Sequence, residues 1–192
     1  MIHFEFDESI ICPDDITATP ERIEQYKDYY CVKYMIAKLC QPKAICEIGV
    51  RCGYSAWSFL QACPDAKYIG IDANNGTHGG QGGQSGVYKD WAIKLLKDYD
   101  FDYIEMDTQV VNKLPINDSV DFMHVDGDHT INGVMHDMLL GINCIGHGNG
   151  YMLIDDIDYI QNVGSGVSAT CKCHNLKVVT LPSLRGEALI QI

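Results

Sequence analysis

Two short runs of the chain end in acids where an α/β protein places its chemistry. Residues 120–129 read Val-Asp-Phe-Met-His-Val-Asp-Gly-Asp-His, and residues 151–156 read Tyr-Met-Leu-Ile-Asp-Asp. Each has the apolar body of a buried strand and closes on carboxylates. In an open parallel sheet, ligands bind outside the carboxyl ends of the strands. Asp126, Asp155 and Asp156 are therefore expected on one rim, with His129 beside them. Uncompensated, such a group repels itself and one pKa rises. A divalent cation held by oxygen ligands resolves that conflict. An ordinary turn is the alternative for the acidic pair. Asp128 reads as a helix cap or as a supporting group, and His124, inside the strand, as a core histidine.

A second motif lies upstream. Cys46-Glu47-Ile-Gly49-Val-Arg-Cys-Gly53-Tyr-Ser55 carries two glycines across a strand-to-helix turn. Glycine lets backbone approach a ligand and tolerates positive φ, and the following helix N-terminus favours an anion. The spacing is neither that of a dinucleotide site nor that of a P-loop. Alone it fits any tight turn that needs two glycines. Tyr68-Ile-Gly-Ile-Asp72 adds an acid at the end of the next strand, where ribose hydroxyls are held, or where an Asp caps a turn. Glu105-Met106-Asp107 puts another acid on the same rim.

Together these residues resemble a known family. Glu47-x-Gly49-x-x-x-Gly53, Asp72 and Asp107 look like the first motifs of class I S-adenosylmethionine-dependent methyltransferases. Residues 120–156 resemble the metal-dependent O-methyltransferases, notably the branch of macrolide-sugar and cephalosporin-biosynthesis enzymes. The resemblance implies that Glu47, Gly49, Gly53, Ser55, Asp72, Asp107 and Asp126 hold S-adenosylmethionine. It also implies that Asp126, Asp155 and Asp156 bind Mg2+ or another divalent cation, and that His129 is the general base. The start of a helix is the plainer role for His129. The implied reaction is methylation of a hydroxyl on a small molecule, a sugar or a vicinal diol. A bound cation would lower the hydroxyl's pKa and His129 would take its proton. Two other readings keep the fold: a non-catalytic S-adenosylmethionine-binding protein, and a metal-dependent hydroxylase or hydrolase.

The elements that must position these groups alternate between strand and helix, the α/β signature. Thr19-Pro20 opens a helix that runs to about Cys40, where Pro42 stops it. Its stripe Ile23, Tyr26, Tyr30, Tyr34 and Ala37 has helical spacing and reads as core. Strands are expected over 44–49, 67–72, 101–106, 119–125 and 150–154. Helices are expected over 54–62, 88–99, 131–144 and 161–171. Residues 176–181 and 187–192 read as two closely linked, antiparallel strands. The expected fold is Rossmann-like and doubly wound, with a seven-stranded, mostly parallel sheet and one antiparallel strand near the edge. It forms a single domain over 1–192, with 1–43 as an N-terminal segment and helix. The glycine-rich stretch 74–86 cannot pack a core and is expected to be a lid or a spacer. Tyr88 and Trp91 behind it could stack on adenine or pack in the core.

The bulk figures narrow the partners. A formal net charge of −12 argues against nucleic acid and against a basic membrane-binding helix. No apolar run is long enough to span a bilayer, and the acidic, aromatic N-terminus is unlike a signal peptide. A cytoplasmic location is expected. The nine cysteines, an odd count, read as reduced thiols, with Cys31 and Cys46 as small core residues. Cys171-Lys-Cys173-His174 lacks half of a zinc site. Homodimerisation through the N-terminal helix or an edge strand is an expectation from base rates.

Overall fold

Seven strands and five helices follow from that alternation in a computed structural model, which describes residues 4–75, 85–116, 119–145 and 150–192. The helices are α1 (Pro20–Cys40), α2 (Tyr54–Ala62), α3 (Ser85–Leu95), α4 (Ile131–Ile145) and α5 (Gln161–His174). The strands are β1 (Ala44–Ile48), β2 (Lys67–Asp72), β3 (Phe101–Glu105), β4 (Phe122–Val125), β5 (Tyr151–Ile154), β6 (Val178–Leu181) and β7 (Glu187–Gln191). They form one sheet in the order β3-β2-β1-β4-β5-β7-β6. All neighbours pair in parallel as far as β5, and β7 runs antiparallel to both β5 and β6. This is the expected Rossmann-like doubly wound sheet, with its antiparallel strand one place in from the edge. Order reverses between β1 and β4, so the ends of those two strands open the crevice in which ligands bind.

Strand parity sets what each face carries. Ile45, Phe122 and Leu153 pack with Tyr26, Tyr30 and Phe59 beneath α1 and α2. Cys46, Met123, Met152 and Ile154 pack with Val134, Met138 and Val167 of α4 and α5. Fully buried side chains such as Phe59, Phe122 and Met123 each contribute about 1.5–3 kcal/mol. The two faces thus supply the stability, and the rim is left to polar groups.

Local chemistry fixes the ends. Thr19 caps α1 by accepting from the Arg22 amide, Pro20 takes the first helical position, and Gln41 ends the helix in a left-handed conformation. The buried stripe of α1 is Tyr26, Tyr29, Tyr30, Lys33, Tyr34, Ile36 and Ala37. It includes Lys33, which keeps the helical register of Tyr26 and Tyr30 although it is charged. β4 begins at Phe122, later than expected; the Asp121 backbone still bonds to Ala44 and Tyr151, and its carboxylate accepts from the Lys43 and Ala44 amides. Helix α3 starts and stops earlier than its periodicity indicates, since Tyr99 folds back on the Leu96 carbonyl. All nine cysteines are free thiols. Among the described residues no helix is long and apolar enough to cross a membrane. Residues 76–84, the body of the expected lid, lie outside the described residues.

Candidate active site

The turn after β1 is built from backbone bonds. Gly49 has φ +92°, and its amide donates to the Ile71 carbonyl at 2.8 Å. A Cβ on Gly49 would fall 2.0 Å from the Asp126 carbonyl oxygen, so only glycine lets this loop lie against the loop after β4. Asp72 braces the turn from β2. Its Oδ2 accepts from the Val50 and Arg51 amides, both at 2.9 Å, and its Oδ1 from the Asn74 amide at 2.7 Å. Arg51, itself at φ +48°, reaches the other way and grips Asp15 at 2.7 and 3.1 Å. Burial raises the Asp15 carboxyl, but the Arg51 contacts outweigh it and hold the pKa below the usual range. The Tyr54 hydroxyl donates to Asp15 and accepts from the Cys12 amide. The N-terminal segment is therefore fastened to the glycine turn.

Beyond Gly49 lies the acidic rim. Asp126, His129 and Asp156 each offer a ligand atom, all within 4.8 Å of one another. His129 Nε2 lies 3.3 Å from Asp126 Oδ1 and 3.7 Å from Asp156 Oδ2. Burial would lower His129, yet its hydrogen bond to Asp126 and the surrounding carboxylates raise its pKa above the ordinary value. Asp156 is pushed up by burial and by the charges of Asp126 and Asp155. Arg185, on the β6–β7 connection, approaches the other Asp156 oxygen at 3.4 Å. Asp128 accepts from the Thr130 amide and Thr130 caps Gly133, so this segment does start α4.

Asp155 is not with them, which corrects its expected place as a third metal ligand. It shares the sheet face of Leu153, the face that α1 covers, and consecutive residues of an extended strand point to opposite faces. Asp156 reaches the rim only because the chain turns through φ +60°. Asp155 accepts from the Tyr29 hydroxyl and from Lys33 Nζ at 2.8 Å, and Lys33 also holds Glu187 at 2.6 Å. Burial alone would raise Asp155, but the Lys33 charge holds it below the usual range. The acidic pair did need compensation, and for one member a buried lysine supplies it.

The same face carries a row of polar groups across adjacent strands β1, β4, β5 and β7. His124 Nδ1 lies 2.8 Å from Glu47 Oε1, and its Nε2 lies 3.9 Å from Asp155 Oδ2. Burial lowers the His124 pKa to about 3 and raises that of Glu47. His124 is thus a neutral core histidine, as its position in the strand indicated.

Six of the expected site residues, Gly49, Asp72, Asp107, Asp126, His129 and Asp156, line one cavity of about 380 Å³. Glu47, Gly53, Ser55 and Asp155 do not line it. Glu47 is turned to His124 inside the sheet. Gly53, at φ +77°, caps α2 against Ala92, and Ser55 is buried within that helix. Asp107 accepts from the Gln109 amide at the cavity edge. Trp91 and Tyr88 both pack in the core: Trp91, partly buried, donates to the Ile10 carbonyl, and Tyr88, buried, also lines the cavity beneath Arg51. Thr17, Arg22, Tyr103 and Arg185 also line it and were not singled out in the sequence. Only Arg51, between the two glycines, carried a positional signal.

The methyltransferase-domain family model matches residues 46–157, more than half of the chain. No curated protein matches it in sequence. Among solved structures, the SAH-bound methyltransferase PaMTH1 of Podospora anserina superposes with a TM-score of 0.64 at 16% identity, over 91% of this chain and 82% of that one. The O-methyltransferase of Bacillus cereus in complex with SAH gives 0.60 at 12% identity, over 91% and 82%. The O-methyltransferase TomG of Streptomyces achromogenes, involved in tomaymycin synthesis and in complex with SAM, gives 0.58 at 15%, over 85% and 78%. At these identities the likeness is one of fold.

Proposed function

The chain belongs to the methyltransferase-domain family, and on that premise we propose that it is an S-adenosylmethionine-dependent O-methyltransferase acting on a hydroxyl of a small molecule. The observation that carries this reading is that the glycine turn and the Asp126–His129–Asp156 group line one cavity. The solved relatives that hold SAH or SAM support the choice of cofactor. Gly49, Asp72, Asp107 and Asp126 would hold it. The close approach at Gly49, which a Cβ would destroy, keeps that turn beside the acids. When bound, the cofactor supplies an electrophilic methyl group.

The residues then have separable tasks. Asp126 and Asp156 orient the acceptor hydroxyl, and His129 Nε2 takes its proton. Holding the two reactants in line contributes at most about 7–11 kcal/mol. Two carboxylates and an imidazole within 4.8 Å also suit a divalent cation, Mg2+ or a softer one such as Mn2+. Such an ion would lower the pKa of a coordinated hydroxyl. Asp155, bound to Lys33, is left out of this donor set.

Calorimetric titration with S-adenosylmethionine, with and without Mg2+ or Mn2+, tests the reading alongside a methyl-acceptor screen. The expected result is nucleotide binding, cation binding that Asp156→Ala abolishes, and a methylated hydroxyl. Absence of nucleotide binding would refute it. Nucleotide binding with no product from any hydroxylated acceptor would reduce the chain to a binding protein.

A further inference from the structure

The cations of the cavity are not accounted for by methyl transfer alone. The chain carries a net charge of −12, yet Arg22, Arg51, Lys89 and Arg185 all line this one cavity. Arg51 is committed to Asp15, and Lys89 to Glu105 at 2.7 Å. Arg185 is different. Its guanidinium has five N–H donors, and among the described residues its one hydrogen bond is the long contact to Asp156 Oδ1 at 3.4 Å. The faces of Tyr29 and Tyr159 lie 5.5 and 5.1 Å from it. Its backbone is fixed, since the Arg185 carbonyl accepts from the Asp158 and Tyr159 amides, both at 3.0 Å. Gly186, at φ +75°, leaves no room for a Cβ beside Asp158. The result is a preorganised fork with spare donors, a quarter exposed on the cavity wall.

We propose that Arg185 recognises a carboxylate on the methyl acceptor, so that the substrate is a small hydroxycarboxylate rather than a neutral sugar or diol. The inference rests on the methyltransferase reading and names its substrate class. Asp156 presents Oδ2 to His129 at 3.7 Å and Oδ1 to Arg185 at 3.4 Å, so the base and the guanidinium flank a single carboxyl group. An acceptor with its hydroxyl at His129 has a carboxylate a few bonds away within reach of Arg185. A guanidinium fork matches a planar carboxylate through two parallel hydrogen bonds. The tyrosine rings cover its faces and leave its edge for that pairing. The acceptor's negative charge also offsets the sulfonium that the cofactor brings to the same cavity.

Matched probes test this: salicylate against salicylamide and lactate against lactamide, titrated by calorimetry into the SAH-loaded protein. The acids are expected to bind about tenfold or more tightly than their amides, the size of a charge-assisted hydrogen bond. Arg185→Gln should erase the difference and leave SAH affinity unchanged. Arg185→Lys should keep part of it. Equal binding of acid and amide would overturn the inference while leaving the methyltransferase reading intact, as would failure of every acid to bind. A preference that survives Arg185→Gln but is lost in Arg22→Gln would overturn it too. Failure of SAH itself to bind would overturn both.

Discussion

Lys33 has no solvent exposure and holds two carboxylates, Asp155 at 2.8 Å and Glu187 at 2.6 Å. Removing one partner of a buried ion pair costs far more than the pair is worth, because the remaining charge stays desolvated. Lys33→Met is therefore expected to destabilise the fold by about 3–5 kcal/mol in urea denaturation. Adding Asp155→Asn and Glu187→Gln should restore most of that loss. His129 gives a second expectation. Its neighbours raise its pKa above 6.5, and a general base must be neutral. Without added cation, kcat/KM should therefore fall as pH drops through a value above 6.5. An added cation at Asp126 and Asp156 should move that step to lower pH, and a step insensitive to His129→Gln would refute the assignment. The chemistry of the rim was legible at this scale, since Asp126, His129 and Asp156 do gather. The direction of Asp155 was not, because two adjacent acids read alike until strand parity separates them. Lys33 lies in the helical register of Tyr26 and Tyr30, so its burial was readable. Its partners, on β5 and β7, were not.

Among the elements, the crossing of the β1 and β4 loops is the most constrained. Gly49 combines φ +92° with a Cβ position 2.0 Å from the Asp126 carbonyl. Gly49→Ala should cost about 1–3 kcal/mol in backbone strain and push the glycine turn away from the acids. Cofactor affinity measured by calorimetry should fall further than thermal stability does. An alanine variant that binds S-adenosylmethionine normally would show that the close approach is not needed. The existence and order of the elements followed from periodicity and caps, as at Thr19-Pro20. Their ends did not, where tertiary bonds intervene. The Asp121 carboxylate clamps the start of β1 just before β4, and Tyr99 closes a turn that periodicity reads as helix. Glu47 and Ser55 were expected at the cofactor because their motif is there. The first faces into the sheet, and the second is buried in α2.

Across the molecule, the polar row on β1, β4, β5 and β7 ties stability to pH. His124 is fully buried, and desolvation, then the Lys33 charge, lowers its pKa to about 3. The unfolded chain binds a proton there near 6.5 and the folded one does not. Its contribution is therefore present above 6.5 and is lost as pH falls toward 3. That gap corresponds to at most roughly 5 kcal/mol. Urea midpoints should fall from pH 7 to pH 5, and His124→Gln should flatten that slope; an unchanged slope would mean that His124 is protonated in the fold.

Lys33 and Glu187 are 154 residues apart in the chain. At a synthesis rate of about 5–20 residues per second, α1 emerges roughly 8–30 s before the acid it must hold. During that interval the aromatic stripe and its lysine have no finished sheet to rest on. Nascent chains arrested before Glu187 should therefore engage chaperones and be cut by protease within α1. Chains arrested after the whole of β7 has left the ribosome should resist both.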